Sequence, residues 1–592
     1  MQFVKANIEI LRQFMQREQV HACIIPSTDP HISEYTPTRW KTRAWISGFT
    51  GSAGTVVITK DKAGLWTDSR YFLQAEQQLK DTGIDLYKEG LPETPTISDW
   101  IASELSAGDC IGIEGDVYAA SEAKALIEYF SGKNLNVRTD FAPYDLLWKN
   151  RPAVPANPVF VLPERFSGKP CRDKIKEVVA EVNKNQADIT IIAALDTIAW
   201  LFNIRGNDVK YNPVCVSYAA VSEKETVLFI SPEKLTQDVS DYLQQEGVVV
   251  AGYEKIAGYI RGIPSGTNVL IAPTKINYRL YSILSDNCII KETTVHPADS
   301  LKSIKNATEI AGIRNAMKKD GVALVKFLID LEKSLKNNET ITESDVEEKL
   351  RDYRSDQDFY LGESFKTIAG YGAHGAIVHY DATPESNAVV LPDGILLVDS
   401  GAQYLDGTTD ITRTVSTGQV SEDVKRNYTH VLKGHIQLAL AVFPAGTVGM
   451  QLDVLARQFL WKAGQNFLHG TGHGVGCFLN VHEGPQSIRM NYNPAPLEPG
   501  MITSNEPGLY LAGEYGIRIE NLLLTVKAKT TTFGDFYAFE TLTLCPIDTR
   551  LIDYSLLSHE EINWLNDYHQ KVYDQLAPLL SKEEAAWLKE RL

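Results

Sequence analysis

Gly394-Ile395-Leu396-Leu397-Val398-Asp399 and, beyond the turn signal Asp406-Gly407, Thr408-Thr409-Asp410-Ile411-Thr412 decide how the C-terminal half of this chain folds. A short apolar run ending in an acid, a polar return and a β-branched run read as two neighbouring strands. Such neighbours hold Asp399 and Asp410 close together. Adjacent carboxylates repel and cannot both stay ionised in a pocket unless a cation lies between them.

Downstream the pattern recurs. Ile502 to Glu506 reads as a strand ended by Pro507-Gly508, and Gly516-Ile517-Arg518-Ile519-Glu520 alternates with strand period. A period of two puts Arg518 and Glu520 on one face and Ile517 and Ile519 on the other. Between the acid pairs lies His469-Gly470-Thr471-Gly472-His473-Gly474-Val475-Gly476. Glycine at every second place lets the backbone pass close to something, here expected to be a metal centre and substrate. Four carboxylates and one imidazole (Asp399, Asp410, His473, Glu506, Glu520) suit two divalent ions. Ions about 3.5–4 Å apart can hold a hydroxide and polarise a carbonyl, a hydrolase's chemistry. The oxygen-rich set leans towards Mn²⁺, with Co²⁺ or Zn²⁺ as alternatives.

Other readings fail on the residues. His469-x-x-x-His473 has the spacing of a helical zinc site but lacks the Glu of H-E-x-x-H, and its glycines disfavour a helix. The G-x-G-x-x-G frame breaks at Val475 and Cys477, and no G-x-x-x-x-G-K-[ST] surrounds it, so a nucleotide site is not expected. Gly362-Glu363-Ser364-Phe365 is not a G-x-S-x-G nucleophile elbow. A single acid in this region would read as a solvated turn or ion pair; five together do not. Seven of the twelve histidines fall between 374 and 482, which concentrates the chemistry there.

Upstream, Ala44-Trp45-Ile46-x-x-Phe49-x-Gly51 matches Ala199-Trp200-Leu201-x-x-Ile204-x-Gly206 at a constant offset. Each copy is followed by apolar runs (Thr55 to Ile58 and Gly64 to Trp66; Val214 to Val221 and Val227 to Ile230). Each also has helical patterns (Ile8 to Arg17 and Ser121 to Phe130; Asp173 to Asn183 and Leu235 to Gln245). Mixed strands and helices in this order predict an α/β unit duplicated within the chain. Neither copy clusters His, Asp and Glu, so no chemistry is expected of them. Proline-rich residues 141–160 and the Val295-His296-Pro297 stretch, followed by an amphipathic Asn306 to Leu335, place boundaries near 155 and 302. The expected domains are therefore 1–155, 156–302 and 303–592. Ser558-His559-Glu560-Glu561 and Ser581-Lys582-Glu583-Glu584 are capping boxes that predict two terminal helices. Their expected buried anchors are Trp564, Leu565, Tyr568, Leu576 and Trp587, on the same domain or a second subunit.

The 592 residues exceed one core, and 44% hydrophobic with 22% charged residues is a globular composition. A net charge of −17 argues against nucleic acid or anionic lipid as partner. Seven scattered cysteines without a CxxC fit a reducing compartment. The N-terminus lacks a signal peptide's apolar core, and no stretch approaches the ~18 apolar residues of a membrane span, so a cytoplasmic protein is expected.

At these motifs the chain resembles the pita-bread metallopeptidases, and within them the three-domain aminopeptidase P group. The blocks carrying the resemblance are Val398 to Tyr404 with Asp410 to Thr414, His469 to Gly476, Asn480-Val481-His482-Glu483-Gly484-Pro485, Asn505 to Gly508 and Gly516 to Asn521. Arg43 to Phe49 and Trp66-Thr67-Asp68-x-Arg70-Tyr71-Phe72 extend it to the first domain. The implied fold is α/β (α+β), with two creatinase-like domains before a pita-bread domain. Asp399 would bind one ion, His473 and Glu506 the other, and Asp410 and Glu520 would bridge. His379, in an Ile377-Val378-His379-Tyr380 strand, would lie near the substrate carbonyl and proline pocket. His482 would contact the intermediate and help move a proton, while Arg518 orients the carboxylates. Tyr510 and His469 are weaker substrate-side carry-overs. The implied activity releases the first residue from peptides with proline second, by attack of a metal-bridging hydroxide with Glu506 carrying the proton; the implied assembly is a homodimer. A prolidase cutting X-Pro dipeptides, a silent pita-bread binding scaffold and a creatinase-like C–N hydrolase are the alternatives.

Overall fold

The computed structural model describes residues 2–592, which form two compact units: 2–162 with 169–301, and 163–168 with 302–592. The first unit contains two six-stranded sheets. One is built from β1 (Ala22–Ile25), β2 (Thr55–Thr59), β3 (Ala63–Thr67), β4 (Asp85–Lys88), β5 (Cys110–Gly112) and β6 (Asn136–Arg138). The other is built from β7 (Ile189–Ile192), β8 (Ser217–Ser222), β9 (Thr226–Ile230), β10 (Val248–Ala251), β11 (Asn268–Ile271) and β12 (Ile289–Glu292). Their strand orders are β4-β3-β2-β1-β5-β6 and β10-β9-β8-β7-β11-β12. In both, the first strand and the hairpin that follows pair antiparallel, and the three outer pairings are parallel. One topology written twice is the duplication expected from the offset motif.

The motif residues show why the copies agree. Helix Thr42–Ser47 ends at Gly48, φ 75°, and helix Leu195–Leu201 is followed by Asn203, φ 51°, at the matching position. Glycine and asparagine are the residues that take the left-handed conformation most readily. Strand alternation then sorts side chains: Cys23 and Ile25 face a core with Val4, Ile8, Leu11 and Met15 of helix Gln2–Arg17, while Ala22 and Ile24 face Trp66 and Trp100. The second strand run begins at Ser217 rather than Val214.

In the second unit, Asn306 caps helix Ala307–Lys336 in a capping box with Glu309. A three-stranded sheet orders β13 (Ile368–Tyr371), β14 (Ile395–Ser400) and β17 (Ile411–Ser416); β15 (Ala402–Tyr404) and β16 (Gly407–Thr408) make a small hairpin between the last two. A six-stranded sheet runs β18-β25-β24-β21-β19-β20, with β18 (Val442–Pro444), β19 (Gly472–Gly474), β20 (Glu483–Ile488), β21 (Ile502–Asn505), β24 (Asn521–Thr531) and β25 (Gly534–Thr541). Here too a hairpin, β22 (Gly508–Leu511) with β23 (Tyr515–Arg518), separates the antiparallel partners β21 and β24. The unit therefore uses one device twice: a strand, a hairpin excursion and an antiparallel return.

Both terminal capping boxes form, starting helices His559–Leu576 and Lys582–Arg591. These helices pack on their own unit, in a core shared with Ile517 and Ile519. Leu565, Tyr568 and Leu576 are buried as expected, but Trp564 and Trp587 are half-buried and Leu588 takes the buried position on the last helix. No helix among the described residues is long and apolar enough to cross a membrane.

Candidate metal centre

The two excursions set the acids. Asp399 lies in β14 and Asp410 immediately before β17, whose register pairs Asp399 with Thr412. Glu506 directly follows β21 and Glu520 directly precedes β24, where Asn505 pairs with Asn521. Thr412 joins the pairs: its carbonyl accepts the Glu520 N–H at 3.0 Å, and its hydroxyl donates to Glu520 Oε2 at 2.8 Å. Arg413 Nη1 donates to the Glu520 carbonyl at 2.6 Å. The chain on either side of His473 is tied to the same strand, since Glu506 N–H donates to Thr471 O and His473 N–H to Ser504 Oγ.

His473 Nδ1 stands 2.9 Å from Gly474 O, a contact that requires the proton on Nδ1. Nε2 is then the ring atom directed at Asp410 Oδ2 and Glu506 Oε1, each 3.5 Å away and too far for a good hydrogen bond. Asp410, His473 and Glu520 each offer a donor atom within 4.8 Å of the others. Asp399 Oδ1 and Glu520 Oε1 are buried without a hydrogen-bond partner among the described residues. Burial, then Asp399 and Glu506, push the Asp410 carboxyl well above the usual carboxylate range; burial, then Asp410, does the same to Glu520. Glu506 is pushed up to about 7, mainly by burial and against the pull of Arg518. Acceptors facing acceptors in a buried site fit divalent cations with oxygen and imidazole ligands.

Arg518 supplies a positive charge at one end of the cluster. Its Nη2 donates to Asp399 Oδ2 at 2.6 Å and its Nη1 to Tyr510 Oη at 2.6 Å. His469 Nδ1 donates to Gly470 O at 2.8 Å, and its Nε2 is hydrogen-bonded to the Tyr510 hydroxyl at 2.8 Å. His469 and Tyr510, expected on the substrate side, thus form a hydrogen-bonded chain that ends on Arg518 and Asp399. Ile517 and Ile519 enter the core behind the acids, as strand alternation required. The His482 and His473 rings meet edge to face, 4.4 Å between centroids.

Two expectations are corrected. His379 is not in a strand: after a 3₁₀ segment Gly372–Ala376, residues 377–380 form a turn closed by Tyr380 N–H to Ile377 O at 3.0 Å. Arg518 Nη2 donates to Val378 O at 3.3 Å and holds that turn beside the acids. The alternating glycines do not make room for metal or substrate. A Cβ on Gly472 would strike Ser504 O, and one on Gly474 would strike Glu483 O, so they admit neighbouring backbone.

Residues to which the motif reading gave no role complete the site. Besides Thr412 and Arg413, Lys302 and Lys305 both pair with the buried Glu483 beside His482. Glu343, far upstream, gathers the loop that carries His379. The β-period of Asp410-Ile411-Thr412 marks Thr412 as sharing a face with Asp410; nothing in the spacing marks the lysines or Glu343.

Comparison with known proteins agrees over the whole length. Models of the Creatinase/Prolidase N-terminal domain match residues 8–140 and 150–309, metallopeptidase family M24 matches 311–527, and the C-terminal region of that peptidase matches 535–592. A probable Xaa-Pro aminopeptidase P of Coprinopsis cinerea is 42% identical over 98% of this chain and 97% of its own. Aminopeptidase P2 of Arabidopsis thaliana is 42% identical over 95% of this chain and 84% of its own. The crystal structure of the X-prolyl aminopeptidase of Caenorhabditis elegans, a cytosolic enzyme with a di-nuclear active site, superposes with TM-score 0.93 at 37% identity, covering 97% of this chain and 95% of that one. A duplicated N-terminal sheet, a cation-demanding acid cluster and full-length likeness converge: the chain belongs to the aminopeptidase P branch of metallopeptidase family M24.

Proposed function

We propose that this chain is an Xaa-Pro aminopeptidase, releasing the first residue from peptides with proline second. The observation that carries the metal half of this reading is the convergence of Asp410, His473 and Glu520 donor atoms within 4.8 Å of one another, with His473 Nε2 directed at Asp410 and Glu506. Full-length likeness to aminopeptidases of that specificity carries the substrate half. Asp399 would hold one divalent ion, His473 and Glu506 the other, and Asp410 and Glu520 would contribute to both; the oxygen-rich set would favour Mn²⁺ over Co²⁺ or Zn²⁺. When bound, they activate water and polarise the scissile carbonyl.

The chain's own groups do the rest. Glu506 takes a proton from the attacking water and returns it to the leaving proline nitrogen. That nitrogen has no N–H in the substrate, so the site must recognise the peptide without it. His379 meets the substrate near the carbonyl and proline ring, and His482 assists the proton transfer beside His473. Arg518, anchored by Tyr510 and His469, keeps Asp399 turned to its ion. Domain boundaries near 155 and 302 accompany this reading, supported at the first by the irregular stretch 151–159. A cytoplasmic homodimer completes it. Met450, Val454 and Trp461 lie exposed along one face of helix Met450–Lys462, which supports self-association.

The test is hydrolysis of an Xaa-Pro-Yaa tripeptide and an Xaa-Pro dipeptide before chelation, after it, and with Mn²⁺ restored. Loss and recovery on the tripeptide is expected. Cleavage of the dipeptide alone would make the enzyme a prolidase, and turnover unaffected by chelation would overturn the metal assignment.

A further inference from the structure

Glu343 opens helix Glu343–Ser355, yet its carboxylate does not cap it. The cap is Thr342, whose hydroxyl accepts the Asp345 N–H while Asp345 accepts the Thr342 N–H. Glu343 is instead wholly buried, and every bond its carboxylate makes runs to one loop. Oε1 accepts from Tyr371 N–H at 2.8 Å and from His374 Nδ1 at 2.8 Å; Oε2 accepts from the Tyr380 hydroxyl at 2.8 Å and from Ala388 N–H at 2.9 Å. The Glu343 N–H closes the set on Ala388 O at 3.0 Å. His374 and Tyr380 stack at 4.5 Å between centroids. His374 lies just before the turn 377–380 that contains His379, and Tyr380 closes that turn.

A buried carboxylate is costly unless its acceptors are filled, and a loop is mobile unless its polar groups are tied down. Here each answers the other's need. The loop converges on the acid, and its far side rests on Arg518 through Val378 O and on Gly516, where a Cβ would strike Gly375 O. The His379 turn is thereby held between the Glu343 carboxylate and the strand that carries Arg518.

We propose that Glu343 is a positioning residue for His379: it touches neither substrate nor metal, and sets where the substrate-side imidazole stands. This rests on the aminopeptidase reading, in which His379 meets substrate. Glutamine at 343 keeps the volume but turns amide hydrogens towards N–H or O–H donors, which loosens the loop while leaving the five ligand residues untouched.

The experiment is a double-mutant cycle on kcat/KM for an Xaa-Pro-Yaa tripeptide, with Mn²⁺ content measured for every variant. Glu343→Gln and His379→Ala are each expected to lower kcat/KM by about 10–100-fold. The double variant is expected to fall no more than about twofold below His379→Ala, since an absent imidazole cannot be misplaced. Bound Mn²⁺ should equal wild type throughout. Losses that multiply would overturn the proposal, because a purely structural defect adds to the loss of His379. Full activity of His379→Ala in an active enzyme would overturn it too, while sparing the aminopeptidase reading. A wild-type chain without Xaa-Pro cleavage defeats that reading instead. Tyr380→Phe, which removes one of the loop's bonds, runs the same cycle if Glu343→Gln does not fold; for it a roughly threefold loss that vanishes in the His379→Ala background is expected, and a loss that persists there overturns the proposal.

Discussion

Asp208 in the first unit and Asp410 in the second are both buried acids, and they solve burial in opposite ways. Asp208 meets Lys234 Nζ at 2.5 Å and accepts the Val216 N–H at 2.7 Å; both charged side chains are fully enclosed. Asp410 meets Asp399, Glu506, Glu520 and the His473 imidazole. Each cluster also leaves a carboxylate oxygen without a partner among the described residues, Asp208 Oδ1 in one and Asp399 Oδ1 in the other. An orphaned oxygen therefore does not distinguish a metal site. What faces the acid does: a protein cation makes the charge structural, whereas further acceptors leave it to ions from solution.

The largest effect expected from this contrast is on turnover. Glu506→Ala should lower kcat on an Xaa-Pro-Yaa peptide by roughly 10²–10⁴-fold, and Asp410→Ala should also lose bound metal. Asp208→Ala should leave the metal content intact. Near-normal turnover in either ligand variant would break the contrast at its centre.

Stability should move in opposite directions at the two sites. Asp208→Asn abandons a buried Lys234 and should cost about 3–5 kcal/mol in a denaturant titration. In chelated protein Glu506→Gln should instead be stabilising near pH 7.5. The Glu506 carboxyl, at about 7 folded against 4.5 ordinarily, binds more protons folded than unfolded between those values. Its contribution is therefore lost as pH rises through that window, and the advantage of glutamine should disappear towards pH 4.5. A less stable glutamine variant in chelated protein would contradict the raising of the Glu506 carboxyl by burial.

In one respect the regions should behave alike. Burial lowers His31 in the first unit and His435 in the second to about 3, so both are neutral when folded. The unfolded chain takes up protons below about 6.5. Stability from each is thus complete above that pH and is lost as pH falls towards 3, by about 1.4 kcal/mol per pH unit. His435→Gln should flatten the slope of unfolding free energy between pH 6.5 and 4.5, and an unchanged slope would count against the buried neutral form. The smallest effect belongs to the cap at Ser581: alanine there should cost about 1 kcal/mol or less and leave kcat alone.

Much of this was legible from local chemistry. Capping boxes at Ser558 and Ser581 are short-range hydrogen-bond patterns, and they form as written. The strand period of Gly516 to Glu520 placed Arg518 and Glu520 together because alternation is a backbone property. The repeat offset survived as a shared topology, down to Gly48 and Asn203 taking the same left-handed conformation. The turn at His379 was not legible. Ile377-Val378-His379-Tyr380 has strand composition, but its conformation is imposed by Glu343 and Arg518, which are distant in sequence. The glycines of the His473 loop misled for a related reason: spacing shows that something approaches closely, and only the packed chain shows that it is Ser504 and Glu483.

The two hairpin excursions also bear on how such a site comes into being. Asp399 and Asp410, like Glu506 and Glu520, are joined by short connections, so each pair meets through fast local closure. Docking the two halves through Thr412 and Glu520 then brings the four carboxyl groups together. Ions that bind the finished cluster and not its separate halves act on that step alone. Metal supply would then govern how long the docked state lasts more than how quickly either half forms, and a chain folded in a chelator should reveal it as an accelerated unfolding rate.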